Sequence, residues 1–253
     1  MLRLAKGVLI PAALLIIWEL GWHISGYESL SRPFDIALAL YAGLLDGSVP
    51  RLTWQTLKAA MFGFAVASAL GVLGGIALGL AWSAERVVRP VIDLLRPIPS
   101  VALIPLAMLI FGFGVRMEAS IVAFACLWPV LIITITAVRS IEPSLIELSR
   151  TLEMKPLQRM IRIIVPAALG RISVGLQLAL AISLVVAVTV EIVINPQGLG
   201  YGMMSAQQSL RFDVMYALLV WTGFVGWALS RAGQWFVGRC SPGRRASREG
   251  APA

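Results

Sequence analysis

The sequence predicts an all-α, polytopic membrane bundle of about six transmembrane helices, and three observations predict it. Of the 253 residues, 58% are hydrophobic and only 13% are charged, whereas a soluble domain carries about 25% charged residues; the mean hydropathy is +0.86. Several apolar runs reach the length of about 20 residues that a helix needs to cross the hydrocarbon layer. The basic residues sort by side when those runs are taken as spans. One side holds Arg3, Lys6, Arg86, Arg89, Arg96, Arg171, Arg231 and the tail residues Arg239, Arg244, Arg245 and Arg248, while the other holds Arg32, Arg51, Lys58, Arg116 and Arg211. With the charged loop of residues 140–165 on the first side as well, that asymmetry places both termini and this loop in the cytoplasm.

Met1 to Trp22 has Arg3 and Lys6 ahead of the apolar run Gly7 to Trp18 and no small-x-small cleavage site after it, so it reads as an uncleaved first span. Residues 24–56 form a mixed loop with a short helix around Ile36 to Leu45. The second span, Leu57 to Trp82, carries Gly63, Ala67, Gly71, Gly75 and Gly79 at four-residue intervals. Such a stripe lets helix backbones approach closely in lipid. After Arg86 and Arg89 comes a third span, Pro90 to Phe113, broken by Pro97, Pro99 and Pro105. Irregular backbone at membrane depth is tolerated only against protein or a water-filled cavity. Asp93 and Arg96 fall three apart on one helix face and are expected to pair. The fourth span is Ala119 to Val138. The fifth, Pro166 to Ile194, has a small-residue stripe of Gly175, Ala179, Ser183 and Ala187 that ends at Glu191. Asn195 to Asp213 reads as an outer loop, and Val214 to Val237 as the sixth span. The regions divide as 1–56 (first span and loop), 57–238 (core) and 239–253, a basic cytoplasmic tail expected to be disordered.

The polar stretch Ser140 to Ala168 interrupts this pattern. It sets Arg150, Lys155, Arg159 and Arg162 against Glu142, Glu147 and Glu153. Pro143 suits a first helical position, and Leu145, Ile146, Leu148 and Leu152 recur at helical spacing. Met154-Lys155-Pro156 ends that helix, and Leu157, Met160, Ile161, Ile164 and Val165 mark a second. An amphipathic helix pair between two spans suits contact with a partner.

Glu147-Leu148-Ser149-Arg150-Thr151-Leu152, followed by Ile164-Val165-Pro166-Ala167-Ala168, resembles the EAA loop of binding-protein-dependent ABC transporter permeases. Leu95-Arg96-Pro97-Ile98-Pro99 and Gly198-Leu199-Gly200-Tyr201 look like the sulfonate, nitrate and taurine branch, and the resemblance spans residues 57–230. It implies a type I ABC importer permease in a bacterial plasma membrane. The coupling loop, 140–165, would dock on a cytoplasmic ABC ATPase dimer through Glu147, Leu148, Ser149, Arg150, Thr151, Leu152, Glu153, Met154 and Lys155. A second permease subunit, as a homodimer, would complete the path, and a solute-binding protein would deliver an aliphatic sulfonate, taurine, nitrate or similar oxyanion. Pro97, Pro99, Ser100, Gly175, Ala179, Ser183, Ala187 and Glu191 are the candidate path residues. Glu153 stands where the family has a turn-forming glycine. A glutamate reaches left-handed backbone angles with difficulty, so either Met154-Lys155-Pro156 takes over the turn or the coupling geometry is unusual.

Other chemistries fit poorly. The chain has no G-x-x-x-x-G-K-[S/T] loop for nucleotide phosphates, so ATP hydrolysis belongs to a partner and no catalytic residue or cofactor is expected. His23 is the sole histidine, and no His/Cys/Asp cluster has metal-ligand spacing. The net charge of +8 lacks the interleaved aromatics of a nucleic-acid surface. Cys126 lies in an apolar span and Cys240 in the basic tail, so no disulfide is expected. A secondary transporter would show inverted repeats and mid-membrane ion-coupling residues, and a membrane enzyme would need acidic clusters at span ends. A scaffold without transport would not require the broken third span.

Overall fold

A computed structural model describes residues 17–19 and 31–240. Its helices are α1 (Pro33–Leu45), α2 (Ser48–Leu80), α3 (Trp82–Leu95), α4 (Ile104–Phe111), α5 (Val115–Arg139), α6 (Pro143–Thr151), α7 (Pro156–Arg159), α8 (Val165–Val193), α9 (Gly198–Gln208) and α10 (Phe212–Cys240). A 3₁₀ turn, Ser100–Leu103, precedes α4, and a π turn, Met160–Ile164, precedes α8. Four helical stretches, those of α2, α5, α8 and α10, are long and apolar enough to cross a membrane. A fifth crossing is formed if α3 and the Ser100–Phe111 segment are taken together, bent by 86°. The expected first span lies outside the described residues except at its end, where the Trp18 ring meets Tyr216 edge-on, centroids 5.8 Å apart.

Three expected boundaries are corrected. The second span starts at Ser48, not Leu57, because its polar first turns satisfy themselves. The Thr53 and Thr56 hydroxyls donate to the carbonyls of Val49 (2.7 Å) and Leu52 (3.2 Å). The third span is two helices rather than one. Pro90 sits inside α3, and Pro105 falls in the first turn of α4, where its missing N–H is harmless. The break is at Pro97 to Pro99, with Pro99 extended at ψ 120. Finally, the stretch read as an outer loop contains α9, an eleven-residue helix despite three glycines. The Asp93–Arg96 pair is not formed either. Both side chains are exposed, and the ion pairs of this region converge on Glu85 instead.

Packing follows the small-residue stripe. α2 and α5 make the most extensive helix contact, followed by α5 and α8. A Cβ added at Gly71 would stand 2.8 Å from Val130 Cβ, and one at Gly79 2.8 Å from Val138 Cβ. The stripe of α2 thus fits against Val122, Cys126, Val130, Thr134 and Val138, the matching four-residue row of α5. In lipid, where apolar transfer contributes nothing between helices, this close approach maximises dispersion. α8 joins the same cluster through Ala179 and Ala187, the Ala179 carbonyl accepting from the Cys126 thiol. α9 and α10 close one end through Val49, Leu184, Val188, Leu199, Met203, Leu218 and Val225.

Candidate functional site

The charged loop forms the end of the bundle where α5 stops and α8 begins. Ile141, Ile164, Ala168 and Ile172 pack there with Ile76, Ala137 and Val138, and Ile146 and Met160 lie against them. This anchors α6 by its Ile146 and Ser149 side. Ser149 is fully buried, its hydroxyl donating to the Ile146 carbonyl at 2.6 Å. Leu145, Leu148 and Leu152 are exposed on the adjoining side, Leu148 at 51% and Leu152 at 61% exposure. The apolar positions of α6 therefore divide between an inward and an outward face. Glu147, Thr151, Glu153 and Lys155 are exposed beside the leucines, and Met154 is half-buried. After a last helical bond from Leu152 N–H to Leu148 O at 3.0 Å, α6 ends in the six-residue closing bond of a Schellman turn, Met154 N–H to Ser149 O at 3.1 Å. The left-handed residue this turn requires is Glu153 itself, at φ 48. Glutamate thus takes the conformation that the sequence pattern reserves for glycine, and Met154-Lys155-Pro156 does not replace it. Pro156 opens α7, whose Gln158 side chain accepts from Lys155 N–H at 3.3 Å. The π turn then leads into α8 through a Val165 N–H to Met160 O bond, one residue ahead of Pro166.

Beside this loop lies a junction that sequence reasoning missed. Glu85, in the first turn of α3, is buried and pairs with Arg139 at 3.2 Å and with Arg89 at 3.6 Å. Arg139 is the last residue of α5, so the pair ties the start of the bent segment to the helix that delivers the coupling loop. The Glu85/Arg89 spacing was a visible signal, but Arg139 was not. Arg171 also donates to the Ser140 hydroxyl, holding α8 to the start of the loop.

Of the candidate path residues, Pro97 and Pro99 are exposed and Ser100 is half-buried at the bend. Gly175, Ala179, Ser183, Ala187 and Glu191 are all buried. Gly175 faces Ile133, and the Cys126 thiol donates to the Ala179 carbonyl at 3.2 Å. This face of α8 is a contact with α5, and lining a path with it would require the two helices to part.

Glu191 belongs to a buried polar cluster at the opposite end of the bundle. Its Oε2 accepts from Gly200 N–H at 2.8 Å. Asn195 donates through Nδ2 to Glu118 Oε2 at 2.7 Å and accepts from Gly114 N–H through Oδ1 at 3.2 Å. From α2, Gln55 accepts from Gly198 N–H (3.0 Å) and Thr56 from Leu199 N–H (2.9 Å). Gly198 has φ 90, and a side chain there would run into the Glu191 carboxyl; at Gly200 it would meet Glu191 Cβ at 2.8 Å. The Gly-Leu-Gly sequence is the space that Glu191 needs. Sequence reading found Glu191 but neither Glu118 nor Asn195, because they come from separate helix ends with no shared spacing. Among the described residues, no three His, Cys, Asp or Glu side chains gather as a metal site would need.

Packed apolar spans with one bent pair, and a polar helical loop that exposes leucines beside charges at one end, define a polytopic membrane protein. Residues 59–246 match the family described as the binding-protein-dependent transport system inner membrane component, and the chain belongs to it. It is 30% identical to a protein named for aliphatic sulfonates transport, SsuC of Bacillus subtilis, over 87% of this chain and 81% of that one. It is equally 30% identical to the bicarbonate transport system permease protein CmpB of Synechococcus elongatus, over 90% of this chain and 88% of that one. A structure of the MetNI methionine ABC transporter in inward-facing conformations shares the fold, with a TM-score of 0.66 at 20% identity over 75% of this chain and 94% of that one. The chain is an ABC transporter permease subunit of an inner membrane.

Proposed function

We propose that this permease carries a small oxyanion, with organic sulfonates and bicarbonate as the leading classes, handed over by a solute-binding protein. Two copies flank the path, and both termini lie in the cytoplasm with the coupling loop. A cytoplasmic ABC ATPase receives α6 in a groove. The observation that carries this reading is the outward row of Leu145, Leu148 and Leu152 on a helix whose other face is anchored in the core. Leucines at the membrane face could sit in lipid, but these stand beside exposed Glu147, Thr151, Glu153 and Lys155, a mixture suited to a protein groove.

Nucleotide-driven closure of the ATPases would move α6, and the firm attachments of the loop would transmit that movement. Ile146 and Ser149 join α6 to the core, the π turn and Pro166 join it to α8, and Arg139–Glu85 joins it to α3. The bend at Pro97, Pro99 and Ser100 is the path element that moves, a two-state change biased by nucleotide. Names of relatives support the substrate class: one concerns aliphatic sulfonates and another bicarbonate, both oxyanions.

Glu147→Lys tests the docking surface. Co-expressed with its cognate ATPase, this variant is expected to lose co-purification and ATPase stimulation while staying folded in the membrane. Normal coupling would overturn the docking assignment. Titrating the cognate binding protein with taurine, an alkanesulfonate, nitrate and bicarbonate decides the substrate class, and tight binding of a cation alone would exclude an oxyanion.

A further inference from the structure

Glu118 on α5 and Glu191 on α8 are 0% and 1% exposed, and their carboxyl groups lie within hydrogen-bonding reach of one another. Their four oxygens are of two kinds. Oε2 of Glu118 accepts from Asn195 and Oε2 of Glu191 from Gly200. Oε1 of each is buried with no hydrogen bond, the Thr56 hydroxyl beside Glu191 donating to the Leu52 carbonyl instead. α2 contributes the neutral Gln55 and Thr56, and α9 contributes backbone amides. The cations nearest in the chain, Lys58 and Arg116, are exposed, and the ion pairs of Glu85 with Arg89 and Arg139 lie at the other end of the bundle. Two adjacent carboxylates with no cation are strongly unfavourable in a medium of low polarity, and two buried acceptors without donors add to that penalty.

We propose that Glu118 and Glu191 hold a single proton between their two otherwise unpartnered oxygens, forming a carboxylic acid–carboxylate pair that fixes the end of α8 and the start of α9 against α5. One proton supplies both missing hydrogen bonds and leaves one negative charge. The Gly200 amide and the Asn195 side-chain amide solvate that charge. Glu118 and Glu191 are thus positioning residues: through Gly200 and Asn195 they seat the Asn195–Gly200 turn, and through Gln55 and Thr56 the same turn is held to α2. This carboxyl pair needs neither substrate nor ATPase to form.

Infrared spectroscopy of the purified protein in lipid vesicles at neutral pH tests it. The wild type should show the C=O stretch of a protonated carboxylic acid, shifted in D₂O. Both Glu118→Gln and Glu191→Gln should lose that band, because the amide donates in place of the shared proton and the remaining glutamate ionises. No protonated-carboxyl band in the wild type overturns the proposal without recourse to any variant. A band that survives in either glutamine variant also overturns it, by placing the proton elsewhere. Amide hydrogen exchange at Leu199 and Gly200 gives a second readout. It should stay slow in Glu191→Gln and accelerate at least tenfold in Glu191→Ala, which removes the acceptor; equal exchange in the two variants would refute the positioning role.

Discussion

The two ends of this bundle solve opposite problems. At the Asn195 end, the starts of α5 and α9 turn their amides inward: Gly114, Gly198, Leu199 and Gly200 all donate to side chains from other elements. At the Glu147 end, the core stops at Ile146, and leucines and charges face outward together. The first end gives its backbone amides to its own buried side chains, whereas the second leaves apolar and charged surface uncovered. Ionic groups show the same contrast, because Glu191 and Glu118 meet neutral donors while Glu85 meets Arg139 and Arg89. A self-satisfied end can hold still, and an uncovered one is suited to receive a partner.

Substitutions should break this contrast in a graded way. The largest effect is expected from Gly200→Val. A side chain there meets Glu191 and the Val188 carbonyl, and overpacking against backbone should destabilise by up to about 3 kcal/mol. Unfolding in mixed detergent micelles measures this, and a change under about 0.5 kcal/mol would mean the closed end is looser than described. Next, Glu85→Ala strands Arg139 in a partly exposed pocket and should cost about 2 kcal/mol, less than a fully buried pair would. Glu85→Ala with Arg139→Ala should recover part of it in a double-mutant cycle, and strict additivity would deny the pairing. The smallest effect is at the open end. Glu153→Gly relieves a left-handed glutamate and should stabilise by about 1 kcal/mol, with ATPase coupling retained. A loss of coupling would show that the side chain of Glu153, and not only its backbone angle, serves the docked state.

Much of this was legible in the chain as written. The helical class, the stripe from Gly63 to Gly79 and the helix–turn–helix of the coupling loop follow from local periodicity and proline placement. Those signals repeat within one segment, so no partner need be known to read them. The starts of α2 and α3 and the existence of α9 were not legible, because polar residues and glycines mimic loops until their hydrogen-bond partners are visible. The turn at Glu153 was misread for a related reason: a residue's preference was weighed without the Schellman bonds that override it.

Pattern along the chain therefore settles that the protein is a membrane bundle with a charged elbow, since apolar length and helical period are local quantities. Which faces meet is a matter of space. The row of α5 that receives the glycines, the pairing of Glu85 with Arg139, and the convergence of Glu118, Glu191 and Asn195 join residues up to 77 positions apart. Such contacts form because burial removes water as a hydrogen-bond partner and leaves each polar group to find a donor or acceptor in another helix.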